Sequence, residues 1–292
     1  MTRSEGVLPP VQRALAAPCF AADPRELVEL GVAAEAAGFD GFFLWDHLVF
    51  ADDGEGPDIV DPWLVLALIA ARTRRIKLGT MITPVNRRRP WVLARQTATL
   101  DLISGGRLIL GVGIGSPARG DFGIFGDEAD PVLRAEMLDE GLAILAGLWS
   151  GERFSHDGKH FQVAPVRFRP RPIQQPRIPI WVGGTLPLKR PMSRAARWDG
   201  AVPITWAEGR LARPTVSDIA GVRDQILDER GHLDSFDIVV WAEVAPDPVA
   251  VAAELPAYAA AGATWWLETA KPEPAWFEGL HARLRLGVSG PT

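Results

Sequence analysis

Residues 76–116 read IKLGTMITPVNRRRPWVLARQTATLDLISGGRLILGVGIGS. The apolar run at the front breaks at Gly79-Thr80 and turns at Pro84; Pro90 then opens a periodic segment that puts Leu93, Thr97, Leu100 and Ile103 on one helical face. Ser104-Gly105-Gly106 stops that helix, because a glycine takes the left-handed conformation that closes a last turn. Leu108 to Val112 is a second uninterrupted apolar run. The unit is strand, helix, strand. Both strands are apolar on consecutive rather than alternate residues, which marks strands covered on both faces and hence a parallel sheet with helices outside.

The same alternation extends upstream. Residues 1–12 carry no periodicity, and Ala14 to Phe20 then reads as a first strand. Asp23-Pro24-Arg25-Glu26 supplies an N-cap, a proline at the first helical position and a capping-box carboxylate. The helix that follows has Leu27, Leu30, Ala34 and Ala37 on its apolar face, and Gly38 ends it before a second strand, Phe42 to Trp45, with Asp46-His47 at its tip. Residues 49–60 are rich in glycine and acids and read as a loop, after which Asp61-Pro62 caps a helix through Ile69.

Downstream, Pro117, Gly120, Gly123 and Gly126 delay the next helix, so 117–130 is an irregular excursion. Asp130-Pro131 caps a long amphipathic helix with Leu138, Leu142, Leu145 and Trp149 on one side. Phe154 to Phe161 reads as a hairpin closed by Asp157-Gly158, and the four prolines between Pro165 and Pro176 make an extended connector. Ile178 to Val182, Trp198 to Val202, Ile238 to Val244 and Thr264 to Leu267 are strands five to eight. Eight apolar runs alternating with helices give an α/β fold, the (β/α)8 TIM barrel, with an insertion after strand four at about 116–177. A quasi-repeat supports the count, since AAGFDGFFL (36–44) parallels AAGATWWL (260–267). Periodicity alone leaves strand order open, so a doubly wound open sheet is the alternative.

A chain of 292 residues with 47% hydrophobic residues can bury one large core, and a single domain over 1–292 is expected. The net charge of −5 provides no basic surface for nucleic acid and no polybasic membrane anchor. No stretch approaches the roughly 18–20 apolar residues of a membrane span, and the N-terminus has no apolar signal segment. The expected setting is cytoplasmic, with neither nucleic acid nor membrane as partner. Cys19 stands alone, which excludes an intrachain disulfide, and reads as a small buried hydrophobe.

In such a barrel the chemistry sits where the strands end: Cys19-Phe20, Asp46-His47, Met81 to Thr83, Gly113 to Ser116, Gly183-Gly184-Thr185, Ile204-Thr205, Glu243 and Glu268. GVGIG at 111–115 is not a dinucleotide fingerprint, since the third glycine would fall on Ser116. Its glycines permit either a tight turn or close approach of backbone N–H groups to a flat ligand. Gly183-Gly184-Thr185 has the same ambiguity and also suits a phosphate. His47, beside an acid at a strand tip, can protonate or deprotonate a ligand near neutral pH, against the plainer reading of a structural histidine. His156 and His160 flank a turn with no further ligand cluster, which argues against metal. Arg87-Arg88-Arg89 reads as a solvated loop from which one arginine could meet an anionic ligand. There is no GxSxG elbow and no Walker lysine, so covalent catalysis is poorly supported, and the glycine- and tryptophan-rich strand ends suit a cofactor that brings its own reactivity.

Several blocks carry a resemblance: AEAAGFDGFFLWDHL (34–48), Leu78-Gly79-Thr80, PWVLARQTATLDLISGGRLILGVGIG (90–115), Phe125-Gly126, RAEMLDEGLAILAGLWSG (134–151), IWVGG (180–184) and Trp198-Asp199-Gly200. The chain resembles the bacterial luciferase-like flavin-dependent oxidoreductases. The resemblance implies a (β/α)8 barrel binding FMN or the deazaflavin F420 at the strand tips. By position, Met81-Ile82 matches a bulged, sometimes cis, peptide behind the ring. Gly113, Ile114, Gly115 and Ser116 match the segment beside the ring and ribityl chain, and Val182, Gly183, Gly184 and Thr185 the segment at the tail and phosphate. Asp46 and His47 match the Asp-His pair of deazaflavin-using members, whose histidine faces the reacting ring. Dehydrogenases of this kind that act on a sugar phosphate have a glutamate where this chain has Ser116, a departure from that substrate.

The implied activity is hydride transfer between the cofactor and a small organic substrate. The alternatives are an FMN-dependent monooxygenase that inserts oxygen through a flavin peroxide, a barrel that binds flavin without turnover, and a cofactor-free hydrolase using Glu243 or Glu268. A homodimer is expected from the resemblance, which also leaves room for a separate reductase supplying reduced cofactor.

Overall fold

The computed structural model describes residues 10–50, 55–115, 121–208, 210–245, 247–270 and 275–288. Its contacts cluster into two compact units, one of Ala16–Ala36 and Phe42–Trp181, the other of Met1–Leu15, Ala37–Gly41 and Val182–Thr292.

In chain order the elements are β1 (Gln12–Ala17), α1 (Pro24–Ala36), β2 (Gly41–Leu44), α2 (Pro62–Arg72), β3 (Lys77–Pro84), α3 (Pro90–Ser104), β4 (Leu108–Gly113), α4 (Pro131–Trp149), β5 (Arg153–Asp157) and β6 (Gln162–Arg167). They continue with β7 (Ile180–Thr185), α5 (Lys189–Ala195), β8 (Gly200–Ala207), β9 (Arg210–Ala212), α6 (Val216–Arg230), β10 (Asp237–Glu243), α7 (Pro248–Ala261), β11 (Trp265–Thr269) and α8 (Trp276–Arg285). The sheet order is β10-β11-β1-β2-β3-β4-β7-β8-β9, and β10 also pairs with β8. That extra pairing makes the eight strands read from the apolar runs a closed (β/α)8 barrel and excludes the doubly wound open sheet.

Local chemistry starts and stops the helices of the larger unit. Asp61 accepts from the backbone N–H groups of Trp63 and Leu64, Asp130 accepts from that of Val132, and in both helices proline takes the first position, where no hydrogen-bond donor is needed. Gly105, at φ 70°, closes α3. The end of the LISGGR stretch is explained by Arg107. Its guanidinium, 7% exposed as a residue, donates to the carbonyls of Ser104, Ile76, Ala70 and Thr73 and to the Thr73 hydroxyl, so one side chain ties the last turns of α2 and α3 to the residue that precedes β3. Burial lowers the pKa of that guanidinium. Glu35 does the same for α1, accepting from the N–H groups of Arg74, Arg75 and Ile76.

β3 and β4 pair in parallel and lie close because two glycines allow it: a Cβ on Gly79 would sit 1.8 Å from the Ile109 carbonyl oxygen, and one on Gly111 2.2 Å from that of Thr80. The β5–β6 hairpin runs through Arg153–Arg167, longer at both ends than the sequence reading. Glu140 of α4 holds it by accepting from the N–H groups of Lys159, His160 and Phe161 and from His156 at 3.3 Å, while His160 bonds Glu136 at 2.9 Å. The two histidines are thus docking contacts of the hairpin. Asp101, fully buried, accepts from Ile173 N and Gln174 N and pins the proline-rich connector to α3.

In the smaller unit β10 pairs in parallel with β11 and β8, and β8 continues past its expected end into an antiparallel ribbon with β9. Glu268, 0% exposed, lies between two arginines: Arg13 at 2.5 Å and Arg283 at 2.8 and 3.0 Å. A carboxylate enclosed in this way is structural, which removes it as the acid of a hydrolase. No helix among the described residues is long and apolar enough to cross a membrane.

Candidate active site around His47

β2 is fully buried and ends at Leu44, so the next residues leave the sheet in order: Trp45 half-buried, Asp46 buried, His47 half-buried. Alternation sends the Asp46 carboxylate inward. One oxygen is held by Arg87 and Arg88, and the other accepts from Thr83 Oγ1 at 2.7 Å and Trp63 Nε1 at 3.1 Å, with Asp46 only 2% exposed. Arg87 Nη2 also donates to the Asp46 carbonyl at 3.0 Å. The Asp46 carboxylate, although next to His47 in sequence, is bonded to other residues and not to the His47 ring. Asp46 is bound to the loop after β3, which ties down the backbone next to His47.

The acid partner of His47 comes from the excursion after β4. Asp121 Oδ2 lies 2.6 Å from His47 Nδ1 and 3.1 Å from Arg87 Nη1, and Asp121 Oδ1 accepts from Leu48 N at 2.7 Å and Val49 N at 3.1 Å. Asp121 is fully buried. Burial alone would raise its pKa; the bond to His47, the nearby His47 and Arg87 charges and the Leu48 N–H together hold it below the usual carboxylate range. Arg87, its side chain 1% exposed, thus bridges Asp46 and Asp121. Arg88 joins it on Asp46, while Arg89 is exposed, so two of the three arginines read as a solvated loop are committed to carboxylates.

What delivers Asp121 is its neighbour Phe122, 1% exposed, which fills the place a Cβ on Gly115 would occupy, at 2.6 Å, and lies under Arg134 at 4.3 Å. Arg134 Nη1 in turn donates to the carbonyls of Ile114 and Gly115 at 2.9 and 3.3 Å. Gly115, at φ 73°, is required by this packing. Gly113 is buried, Ile114 half-buried, and Ser116 lies outside the described residues.

The Met81-Ile82 peptide is cis, within a bulge where the β3–β4 register shifts between Thr80 and Thr83. Met81 is buried and Ile82 half-buried. The missing side chain of Gly111 makes room for the bulge, since a Cβ there would meet Ile82 Cγ2 at 3.2 Å and Met81 Sδ at 3.3 Å. Asn86, in the single turn Val85–Arg87 after β3, is 7% exposed, and neither end of its amide is hydrogen-bonded among the described residues. The His47 ring has aromatic neighbours: Phe50 at 5.1 Å and Trp45 at 6.0 Å between ring centroids, with Phe20 stacked on Phe50 at 4.6 Å. Cys19 is 2% exposed; burial and the Asp46 and Asp61 carboxylates push its thiol far up, so it is not a nucleophile.

The remaining candidates lie in the smaller unit. Val182 and Gly184 are buried, and Gly183 and Thr185 half-buried. A Cβ on Gly184 would strike Pro191 Cβ at 2.2 Å and Met192 Cε at 2.8 Å, so packing of α5 is enough to require a glycine there.

Comparison with known proteins agrees with this fold. The sequence profile of the luciferase-like monooxygenase family matches residues 6–270. The chain is similar to an F420-dependent glucose-6-phosphate dehydrogenase of Nakamurella multipartita, 32% identical over 243 residues that cover 82% of this chain and 69% of the relative. It is 38% identical over 168 residues to a protein of the same name from Microbacterium testaceum, a match covering 56% of this chain and 48% of that relative; it thus spans about half the relative's length. Among solved structures, the F420-dependent tetrahydromethanopterin reductase of Methanopyrus kandleri superposes with a TM-score of 0.76 at 19% identity, covering 95% of this chain and 98% of that one. The profile covers nearly the whole chain, and the chain belongs to the luciferase-like monooxygenase family.

Proposed function

We propose that this protein is an oxidoreductase that transfers a hydride between F420 or FMN and a small organic substrate, with His47 moving the accompanying proton. The observation that carries the reading is the arrangement of His47: one ring nitrogen is held on a buried carboxylate, which leaves Nε2 as the nitrogen able to meet a reacting hydroxyl or carbonyl. The larger unit's strand tips fit a flat ring system. The β3 bulge at Met81-Ile82 offers a face without charge, and the unsatisfied amide of Asn86 offers both a donor and an acceptor for a heterocycle edge. Met81, Ile82, Gly113, Ile114 and Gly115 are the residues of this unit that would hold the cofactor, which when bound supplies hydride acceptance and donation.

The chain's own part is proton management and positioning. His47 Nε2 takes the proton from a substrate hydroxyl as the carbon is oxidised and returns it in the reverse direction. Asp46, through Arg87 and Arg88, keeps the strand end from shifting. Phe50 and Trp45 keep the imidazole out of bulk water and favour a substrate whose reacting carbon carries an apolar skeleton. Arg87 is not available to a substrate phosphate, since both carboxylates already claim it. F420-dependence is favoured over FMN by the matched relatives; oxygen insertion with FMN is the second reading. The proposal also takes the chain as a cytoplasmic homodimer, with a separate reductase where reduced cofactor must be supplied; Leu64 and Leu68, 72% and 57% exposed and one turn apart on α2, are apolar surface available to a second copy.

Titration of the purified protein with F420 and with FMN, followed by turnover on a panel of small alcohols and ketones, tests the reading. The His47→Ala protein should bind cofactor like the parent and lose turnover by about 10²- to 10⁴-fold. Failure of both cofactors to bind at micromolar concentration, or parental turnover by His47→Ala, would overturn it.

A further inference from the structure

The excursion after β4 contributes a carboxylate whose four polar contacts determine what His47 can do. We infer that Asp121 is a positioning residue for the proposed proton transfer, holding the His47 proton on Nδ1 so that Nε2 presents its lone pair; the inference rests on the function proposed above. Asp121 Oδ1 is claimed by two donors that cannot change, the N–H groups of Leu48 and Val49. Oδ2 faces His47 Nδ1 at 2.6 Å and Arg87 Nη1 at 3.1 Å. An ionised carboxylate only accepts hydrogen bonds. Facing Oδ2, Nδ1 therefore carries the proton in the neutral ring, and Nε2 is left as the base.

The same contacts make Asp121→Asn informative, because the amide cannot satisfy all of them. With its oxygen facing His47, its NH2 group would point at the two backbone donors, which have no alternative state. With its oxygen on Leu48 and Val49, the NH2 group faces Nδ1 and Arg87. The imidazole can answer by moving its proton to Nε2, and the guanidinium by relying on Asp46, which it already holds. The second arrangement is the one expected. It leaves the imidazole in place with the wrong nitrogen protonated. Because the ring stays held while its proton moves to the other nitrogen, a loss of kcat in this variant reports positioning and not packing.

Nitrogen-15 NMR of the ring nitrogens reads the tautomer without cofactor or substrate, and with five histidines in the chain the His47 signals are assignable by comparison with His47→Ala. The parent should show Nδ1–H with an unprotonated Nε2 above the imidazole titration, and Asp121→Asn the reverse. With cofactor and substrate, Asp121→Asn should lose about 10²- to 10⁴-fold in kcat while its cofactor affinity and KM stay within about threefold of the parent. Nε2–H in the parent, or an unchanged tautomer with parental kcat in the variant, overturns the inference. Should Asp121→Asn fail to fold, the parent tautomer alone decides. If His47→Ala is inactive while Asp121→Asn is not, this inference falls and the proposed function stands; if His47→Ala is fully active, the function itself falls.

Discussion

Removing the cation that joins Asp46 to Asp121 tests the electrostatic account of the site. In Arg87→Met the side chain keeps its apolar stem but loses the guanidinium, leaving two carboxylates that are 1% and 0% exposed with one cation fewer. At an effective dielectric constant of about 20, unit charges at the 3.1 Å separation of Arg87 and Asp121 attract by about 5 kcal/mol. Part of that is offset because the guanidinium no longer has to be desolvated, so a net loss of about 3–5 kcal/mol is expected, the range for breaking a buried ion pair by removing one partner. Arg88, Thr83 and Trp63 still bind Asp46, which places the figure toward the lower end. Urea denaturation of the parent, Arg87→Met, Asp46→Asn and the double variant forms a cycle. The double variant should be less destabilised than the two singles together by about 1–3 kcal/mol, because neutralising Asp46 removes one of the charges that Arg87→Met strands. Additive effects, or an Arg87→Met cost below about 1 kcal/mol, would mean that the network is a surface-like contact and that Asp46 does not anchor the strand end.

Two further outcomes test the frame of the site. Glu35 has its pKa lowered: burial opposes ionisation, but the N–H groups of Ile76, Arg75 and Arg74 and the Arg75 charge outweigh it. Its contribution is therefore fully present above the unfolded glutamate pKa of about 4.3 and is lost as pH falls through the lower folded value; Glu35→Gln should lower the Tm by about 2–4 °C at neutral pH, for a carboxylate worth about 1 kcal/mol, with the gap closing in melts taken below about pH 4. Gly111→Ala should destabilise the protein by about 2–3 kcal/mol or more, since its methyl would meet backbone oxygen, while Gly221→Ala on α6, with open space around it, should stabilise by about 0.5–1 kcal/mol. Equal effects of the two alanines in denaturant titrations would refute the close approach of β3 and β4.

The parts of this molecule that were legible in the chain are those whose causes are local. Asp61-Pro62 and Asp130-Pro131 start helices because a side-chain oxygen and a ring-locked φ act within three residues. Gly105 ends one because only a left-handed residue fits there. Leu108 to Val112 reads as a covered strand because every residue in it is apolar. His47 was visible for the same kind of reason, as a titratable ring directly after a buried strand.

Asp121 was not visible as its partner. It lies 74 positions away in a stretch without periodicity, among other acids, and what singles it out is contact: Phe122 wedged against Gly115, which no spacing rule encodes. The only available signal was the pair Asp121-Phe122, an acid beside a large aromatic within a polar, glycine-rich excursion. Arg87 and Arg88 read as solvated from sequence because three consecutive cations look like surface; two buried carboxylates claim two of them. Glu268 looked like a candidate acid until Arg13 and Arg283 enclosed it, from 255 and 15 residues away.

By itself, then, the order of residues determined the alternation of strands and helices, their caps, and which side chains stand where strands end, since each depends on neighbours within a turn or two. Which carboxylate meets His47, which arginines are committed, and which glycines serve packing were decided only by tertiary structure. Those outcomes depend on distances between distant segments, and in a buried setting a difference of an ångström separates a bonded charge from an excluded one.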